Sequence, residues 1–152
     1  MQEGDVAPDF ELSANDGSVV KLSSFKGQKN TVLCFYPKNH LFACPSKKVF
    51  KMAEATIQAY PQIASLNAEL FAISVDTIPD QKKFVDEYNV PYKHLSDPNK
   101  TVCKQYAGLN LAGLAKRSTF IVDKEGKIAK IFRDVKVESH GQEIISVLQS
   151  LK

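Results

Sequence analysis

Thr31-Val32-Leu33-Cys34-Phe35-Tyr36 is a continuous run of apolar, branched and aromatic residues closed by Pro37. Bounded upstream by Gly27-Gln28-Lys29-Asn30, it predicts a strand covered on both faces. A loop from Lys38 to Ala43 then leads to Cys44-Pro45. Pro45 suits the first position of a helix, where its missing N–H would have no partner anyway. From Ser46 to about Asn67, Val49, Phe50, Met52, Ala53, Ile57 and Tyr60 recur at three- and four-residue steps, forming one apolar helical face. Pro61 is expected to kink or split that helix.

Working outward, Pro8 to Leu12 alternates, Asn15-Asp16-Gly17-Ser18 reads as a turn, and Val19 to Leu22 returns as the second arm of a hairpin. Downstream, Glu69 to Val75 reads as a second buried strand and Pro79 opens a polar helix through Tyr88. Tyr92 to Leu95 is a short strand, and Asp97-Pro98 begins a helix that ends near Gly108. Ser118 to Val122 is a strand, turned by Asp123-Lys124-Glu125-Gly126 into Lys127 to Phe132. Gly141 to Leu151 closes the chain as an amphipathic helix. Helices between strands imply parallel crossovers, and the last hairpin adds an antiparallel edge. The expectation is an α/β fold with a mixed central sheet, helices on both faces and an N-terminal β-hairpin. No linker or second core interrupts residues 1–152, which read as a single domain.

The composition agrees. The 152 residues are 43% hydrophobic and 24% charged, with nine Phe and five Tyr, which excludes disorder, collagen and simple repeats. A chain of this length buries roughly two-thirds of its unfolded surface, so it needs no metal or disulfide staple. The net charge of +3 is too mild to imply nucleic acid, and the pairs Lys47-Lys48 and Lys82-Lys83 read as solvated helix faces. No window approaches a membrane span, and Met1-Gln2-Glu3-Gly4-Asp5 is no secretory signal. With three cysteines and no C-x-x-C, the economical reading is a cytoplasmic protein with free thiols. A mature organellar form would read the same.

Of the thiols, Cys44 is placed for chemistry. A helix start carries partial positive charge and unpaired N–H groups, and both favour the thiolate, which is the nucleophilic form. Lys47 and Lys48 act in the same direction. Position alone leaves open that Cys44 is an ordinary small core residue. Cys34, mid-strand, is expected to be buried and inert, and Cys103 to serve packing. His40, His94 and His140 are scattered and form no ligand pair at helical spacing.

These residues resemble a known family. Phe35-Tyr36-Pro37-Lys38 followed by Cys44 is similar to the peroxidatic segment of the peroxiredoxins, and the chain looks most like their Q-type, or bacterioferritin comigratory, group. Gly4 to Phe10, Ala72 to Asp76, Leu95-Ser96-Asp97-Pro98, Arg117 to Ile128, and His140 with Glu143 match the family in order. The resemblance implies a thioredoxin-like fold and thiol-dependent reduction of peroxides without a cofactor. Cys44 would be oxidised to a sulfenic acid, Arg117 would hold the charge as the O–O bond breaks, and Pro37 would shield the site. Leu41 and Phe42 would line the peroxide pocket. Thioredoxin, glutaredoxin or a small thiol would return Cys44 to the reduced form, in a monomer or weak homodimer.

Three positions depart from the family pattern. Leu41 stands where P-x-x-x-T-x-x-C has threonine, Lys47 where the family has glutamate, and Val49 where many Q-type members carry a resolving cysteine. The segment Pro79 to Tyr88, another location for that cysteine, has none. Cys44 and Arg117 favour a one-cysteine peroxidase. Leu41 and Lys47 favour a relative that senses oxidants or binds a redox partner. A disulfide oxidoreductase lacks its C-x-x-C.

Overall fold

The computed structural model describes residues 1–39, 46–133, 135 and 139–151, with the side chains of residues 46–52 outside the description. The strands are β1 (Glu11–Ala14), β2 (Val19–Lys21), β3 (Asn30–Phe35), β4 (Ala68–Ser74), β5 (Lys93–Ser96), β6 (Ser118–Val122) and β7 (Ile128–Arg133). The helices are α1 (Ser46–Ser65), α2 (Ile78–Tyr88), α3 (Thr101–Tyr106) and α4 (His140–Ser150). Among the described residues, these seven strands form one sheet in the order β2-β1-β5-β4-β3-β6-β7.

Side-chain alternation along the strands divides the core. Val32, Cys34 and Tyr36 of the β3 segment face a cluster with Ala59 and Ile63 of α1, Phe84 of α2, and Ile144, Ile145 and Leu148 of α4. Leu33 and Phe35 face the opposite layer, with Val102, Cys103 and Tyr106 of α3 and Ala14 and Val20 of the hairpin. Helices α1 and α4 approach closely at Gly141. A Cβ there would lie 2.8 Å from the Ala55 carbonyl oxygen and 3.0 Å from Ala59 Cβ.

Three expectations need correction. Pro61 does not split α1, which is continuous from Ser46 to Ser65. Pro61 stands on its exposed side, where water can reach the carbonyl left without a donor, while Ala59 and Ile63 hold the helix on the sheet. Helix α3 starts at Thr101, not at Asp97. Lys100 has φ of 65°, which ends the turn, and the Asp97 carboxylate reaches over it to accept the Cys103 N–H at 2.8 Å. Finally, the helix between β5 and β6 makes no parallel crossover. β3, β4 and β5 are mutually parallel, but β6 runs antiparallel to β3. α3 has only six residues, and the chain continues through 107–117 to enter β6 at the end where β5 leaves.

The start of the chain lies along β7. Gly4 N–H donates to the Ile128 carbonyl at 2.7 Å, Ile128 N–H to that of Asp5 at 2.8 Å, and Ile131 N–H to a Glu3 carboxylate oxygen at 3.2 Å.

Candidate active site

The antiparallel entry of β6 decides where Arg117 sits. Phe35 pairs with Ser118 and Cys34 with Thr119, so the residue before β6 is beside the residues after β3. Arg117 and the Tyr36-Pro37 corner therefore share the end of the sheet from which the chain runs on towards α1. Arg117 and Pro37 are both half-buried.

Beside them is a cleft of about 60 Å³ between the sheet and α1, lined by Cys34, Tyr36, Thr56, Tyr92, Arg117, Thr119 and His140, among others. Its lining is mainly aromatic and aliphatic, with hydroxyls at fixed places. The Tyr92 hydroxyl is 3.0 Å from Thr56 Oγ1, which itself donates to the Ala53 carbonyl at 2.7 Å. Thr119 Oγ1 is 2.7 Å from His140 Nε2 and 3.7 Å from Cys34 Sγ. His140 Nδ1 is 3.7 Å from Glu143, too long for a hydrogen bond. Burial lowers the His140 pKa, with the Glu143 carboxylate opposing.

Cys34 is partly exposed on the floor of this cleft, not sealed in the core as its apolar run suggests. Burial nevertheless pushes its thiol up to about 12, outweighing the weak contact from Thr119. It is therefore protonated at neutral pH and a poor nucleophile. Cys103 is fully buried in the opposite layer, and burial together with the Asp97 carboxylate raises its pKa.

Comparison with known proteins completes the picture. The model of the AhpC/TSA family matches residues 4–131. Peroxiredoxin Bcp of Bacillus subtilis is 33% identical over 99% of this chain and 97% of its own length. A putative peroxiredoxin bcp of Coxiella burnetii is 31% identical over 97% and 99%. The chain belongs to the AhpC/TSA family, in its peroxiredoxin Bcp/Q group. Among solved structures, peroxidoxin BcpB of Mycobacterium tuberculosis superposes with a TM-score of 0.84 at 28% identity, covering 100% of this chain and 99% of that one. The fold is the thioredoxin-like fold of the peroxiredoxins, with the N-terminal hairpin in place.

Of the family residues named from the sequence, Arg117 and Pro37 come together at the sheet end. Cys44, Leu41 and Phe42 lie outside the described residues. Lys47 belongs to the first turn of α1, which begins two residues after Cys44. Sequence reading missed Thr119 and His140 as neighbours, because one is a strand residue and the other opens a helix far along the chain. It also missed a buried polar network under the Pro37 corner, comprising Tyr36, Asn39, Ser74, Asp76, Gln81 and His94. Its only trace in the sequence is the number of polar side chains inside otherwise apolar strands.

Proposed function

We propose that this chain is a thiol-dependent peroxidase with Cys44 as its peroxidatic residue. The observation that carries this reading is the β3–β6 register, which sets Arg117 beside the strand end leading to Cys44, in a member of the peroxiredoxin Bcp/Q group. The Cys44 thiolate attacks the distal oxygen of the peroxide. An S–O bond forms, the O–O bond breaks, Cys44 becomes a sulfenic acid, and the departing oxygen takes up the proton to leave as water or an alcohol. Arg117 stabilises the charge that develops on that oxygen. Pro37 and the apolar cleft limit water at the reacting sulfur. Hydrogen peroxide and organic hydroperoxides are the substrates, with Leu41 and Phe42 as the residues of the peroxide pocket.

Reduction calls for a thiol from outside the chain. Cys103 is in the core on the far side of the sheet, Cys34 is held protonated, and Val49 and the helix α2 offer no cysteine. A first external thiol attacks the sulfenic acid, forming a mixed disulfide and releasing water. A second thiol, or the second sulfur of a dithiol such as thioredoxin, frees Cys44. Leu41 and Lys47 support a second reading, a redox sensor or binding module with little turnover. Peroxide consumption by the wild type and by Cys44→Ser, with thioredoxin or a small thiol as reductant, separates the two. Turnover that Cys44→Ser abolishes establishes the enzyme, and no turnover in the wild type leaves the sensor.

A further inference from the structure

Under the Pro37 corner, six side chains form a hydrogen-bonded chain that has one consistent direction. His94 Nδ1 is 2.8 Å from the Tyr36 hydroxyl oxygen, and that hydroxyl is 2.6 Å from Asn39 Oδ1 and 2.9 Å from Gln81 Oε1. Asn39 Nδ2 is 2.8 Å from Gln81 Oε1. Gln81 Nε2 donates to Ser74 Oγ at 2.9 Å and to the Leu95 carbonyl at 2.9 Å. Ser74 Oγ donates to Asp76 Oδ2 at 2.5 Å, and the Asn39 backbone N–H donates to the same oxygen at 2.9 Å. Gln81 and Asp76 supply acceptors that cannot reverse the order. Read from that end, Ser74 donates to Asp76, Gln81 to Ser74 and Asn39 to Gln81; the one Tyr36 proton is shared between Asn39 Oδ1 and Gln81 Oε1, and His94 Nδ1 then donates to the Tyr36 oxygen. This assignment puts the imidazole proton on Nδ1; His94 Nε2 has no hydrogen-bond partner among the described residues.

The chain closes on Asn39. It is fully buried, and its backbone N–H, side-chain oxygen and side-chain nitrogen are all engaged. Every other member belongs to a strand, a helix or a strand end. Asn39 alone stands in the segment that leads to Cys44, five residues further on. Asp76, where the chain ends, is 2% exposed, and its other oxygen, Oδ1, has no hydrogen-bond partner among the described residues. An ionised carboxylate buried with one oxygen bare costs stability. Such an arrangement is accounted for when the strong acceptor it provides is needed by what it holds.

We propose that Asp76, acting through Asn39, is a positioning residue for Cys44. The proposal rests on the peroxidase reading of Cys44, and its test is chosen to be read independently of turnover. Asp76 never touches substrate. It fixes the start of the segment that carries the nucleophile to the body of the sheet and to α2.

The test measures two rates of Cys44 in the full chain: alkylation by iodoacetamide and oxidation by hydrogen peroxide. Both are measured for the wild type, Asp76→Ala and Asp76→Asn, each normalised to the folded fraction. Asp76→Ala leaves the Asn39 N–H without an acceptor and is expected to slow oxidation by about 10- to 100-fold, the scale of a misplaced reacting group. Alkylation, which demands less alignment, changes by a clearly different factor. Asp76→Asn keeps an oxygen for the Asn39 N–H and recovers most of the oxidation rate. A purely structural Asp76 predicts a lower unfolding midpoint for Asp76→Ala but an unchanged oxidation rate per folded molecule, and that result overturns the proposal. If Asp76→Ala does not fold, amide exchange decides on Asp76→Asn, whose uncharged oxygen accepts more weakly than the carboxylate: exchange at Asn39 modestly faster than in the wild type supports the anchor, and equal exchange overturns it. A wild type that alkylates at Cys44 but does not react with peroxide refutes the peroxidase reading instead. In that case the alkylation rates and Asn39 exchange still judge the anchor.

Discussion

His94 should make the protein sensitive to mild acid. Its ring is 2% exposed and lies among Tyr36, Phe84 and Tyr92 with centroids 5.6, 5.4 and 5.7 Å away. Burial pushes its pKa down to about 3. In the unfolded chain the imidazole titrates near ~6.5. Between these values the unfolded state binds the extra proton, so the contribution of neutral His94 is complete above about pH 6.5 and is lost as pH falls towards about 3. At about 1.4 kcal/mol per pH unit, the loss at pH 4.5 is about 3 kcal/mol. Asp76 has the opposite sign: burial raises its pKa, so its protonation on acidification favours the folded state. The two partly offset each other in the wild type, and a variant is needed to separate them. His94→Asn places an amide N–H near the former Nδ1 and can still donate to Tyr36, but it does not titrate. It is less stable than the wild type at pH 7 because ring volume is lost. The gap should then shrink by about 3 kcal/mol at pH 4.5. Urea unfolding followed by far-ultraviolet circular dichroism measures both, since the chain has no tryptophan. An identical gap at the two pH values would refute the assignment of a neutral, desolvated imidazole at this position.

Three further outcomes are expected. Cys103→Ser should keep peroxide turnover with an external thiol and lose no more than about 1 kcal/mol of stability, because the Asp97 carboxylate beside the thiol accepts from the hydroxyl; a folded variant without turnover would make Cys103 the resolving thiol. Leu41→Thr should raise the rate of Cys44 oxidation by hydrogen peroxide about 10- to 150-fold in stopped flow, by supplying a hydrogen bond of about 1.5–3 kcal/mol. An unchanged rate would mean that residue 41 does not face the peroxide. Gly141→Ala should lower stability by about 1–3 kcal/mol in thermal unfolding, because the Ala55 carbonyl is backbone and cannot turn aside.

The order of elements was legible because it depends on local patterns: apolar runs for β3, β4 and β6, a three-to-four-residue step for α1, and turn residues at Asp16-Gly17 and Glu125-Gly126. What failed was non-local. The direction of β6 depends on how far a short helix and the 107–117 segment carry the chain, and no periodicity encodes that. The start of α3 depends on Asp97 reaching across a turn and on the left-handed backbone of Lys100. The site was legible in part for the same reason. Arg117 and Pro37 stand out through resemblance to the family, whereas Thr119, His140 and the chain from His94 to Asp76 become neighbours only when strands pair. Cys34 shows the limit most clearly: its sequence neighbours place it in a buried strand, but the cleft above it depends on where α1 crosses.

The amino-terminal residues have a bearing on colloidal behaviour. β7 ends the sheet, and an uncovered outer strand is a template for another chain. Glu3, Gly4 and Asp5 occupy the hydrogen-bonding groups of Ile128 and Ile131, so a few residues with almost no share in the core hide that template. At the other end, β2 has only three residues, with Val19 and Lys21 turned to water, and offers little length for pairing. Shortening the chain at its start, or fusing a tag there, would therefore act less on the fold or the thiol site than on whether separate molecules join edge to edge.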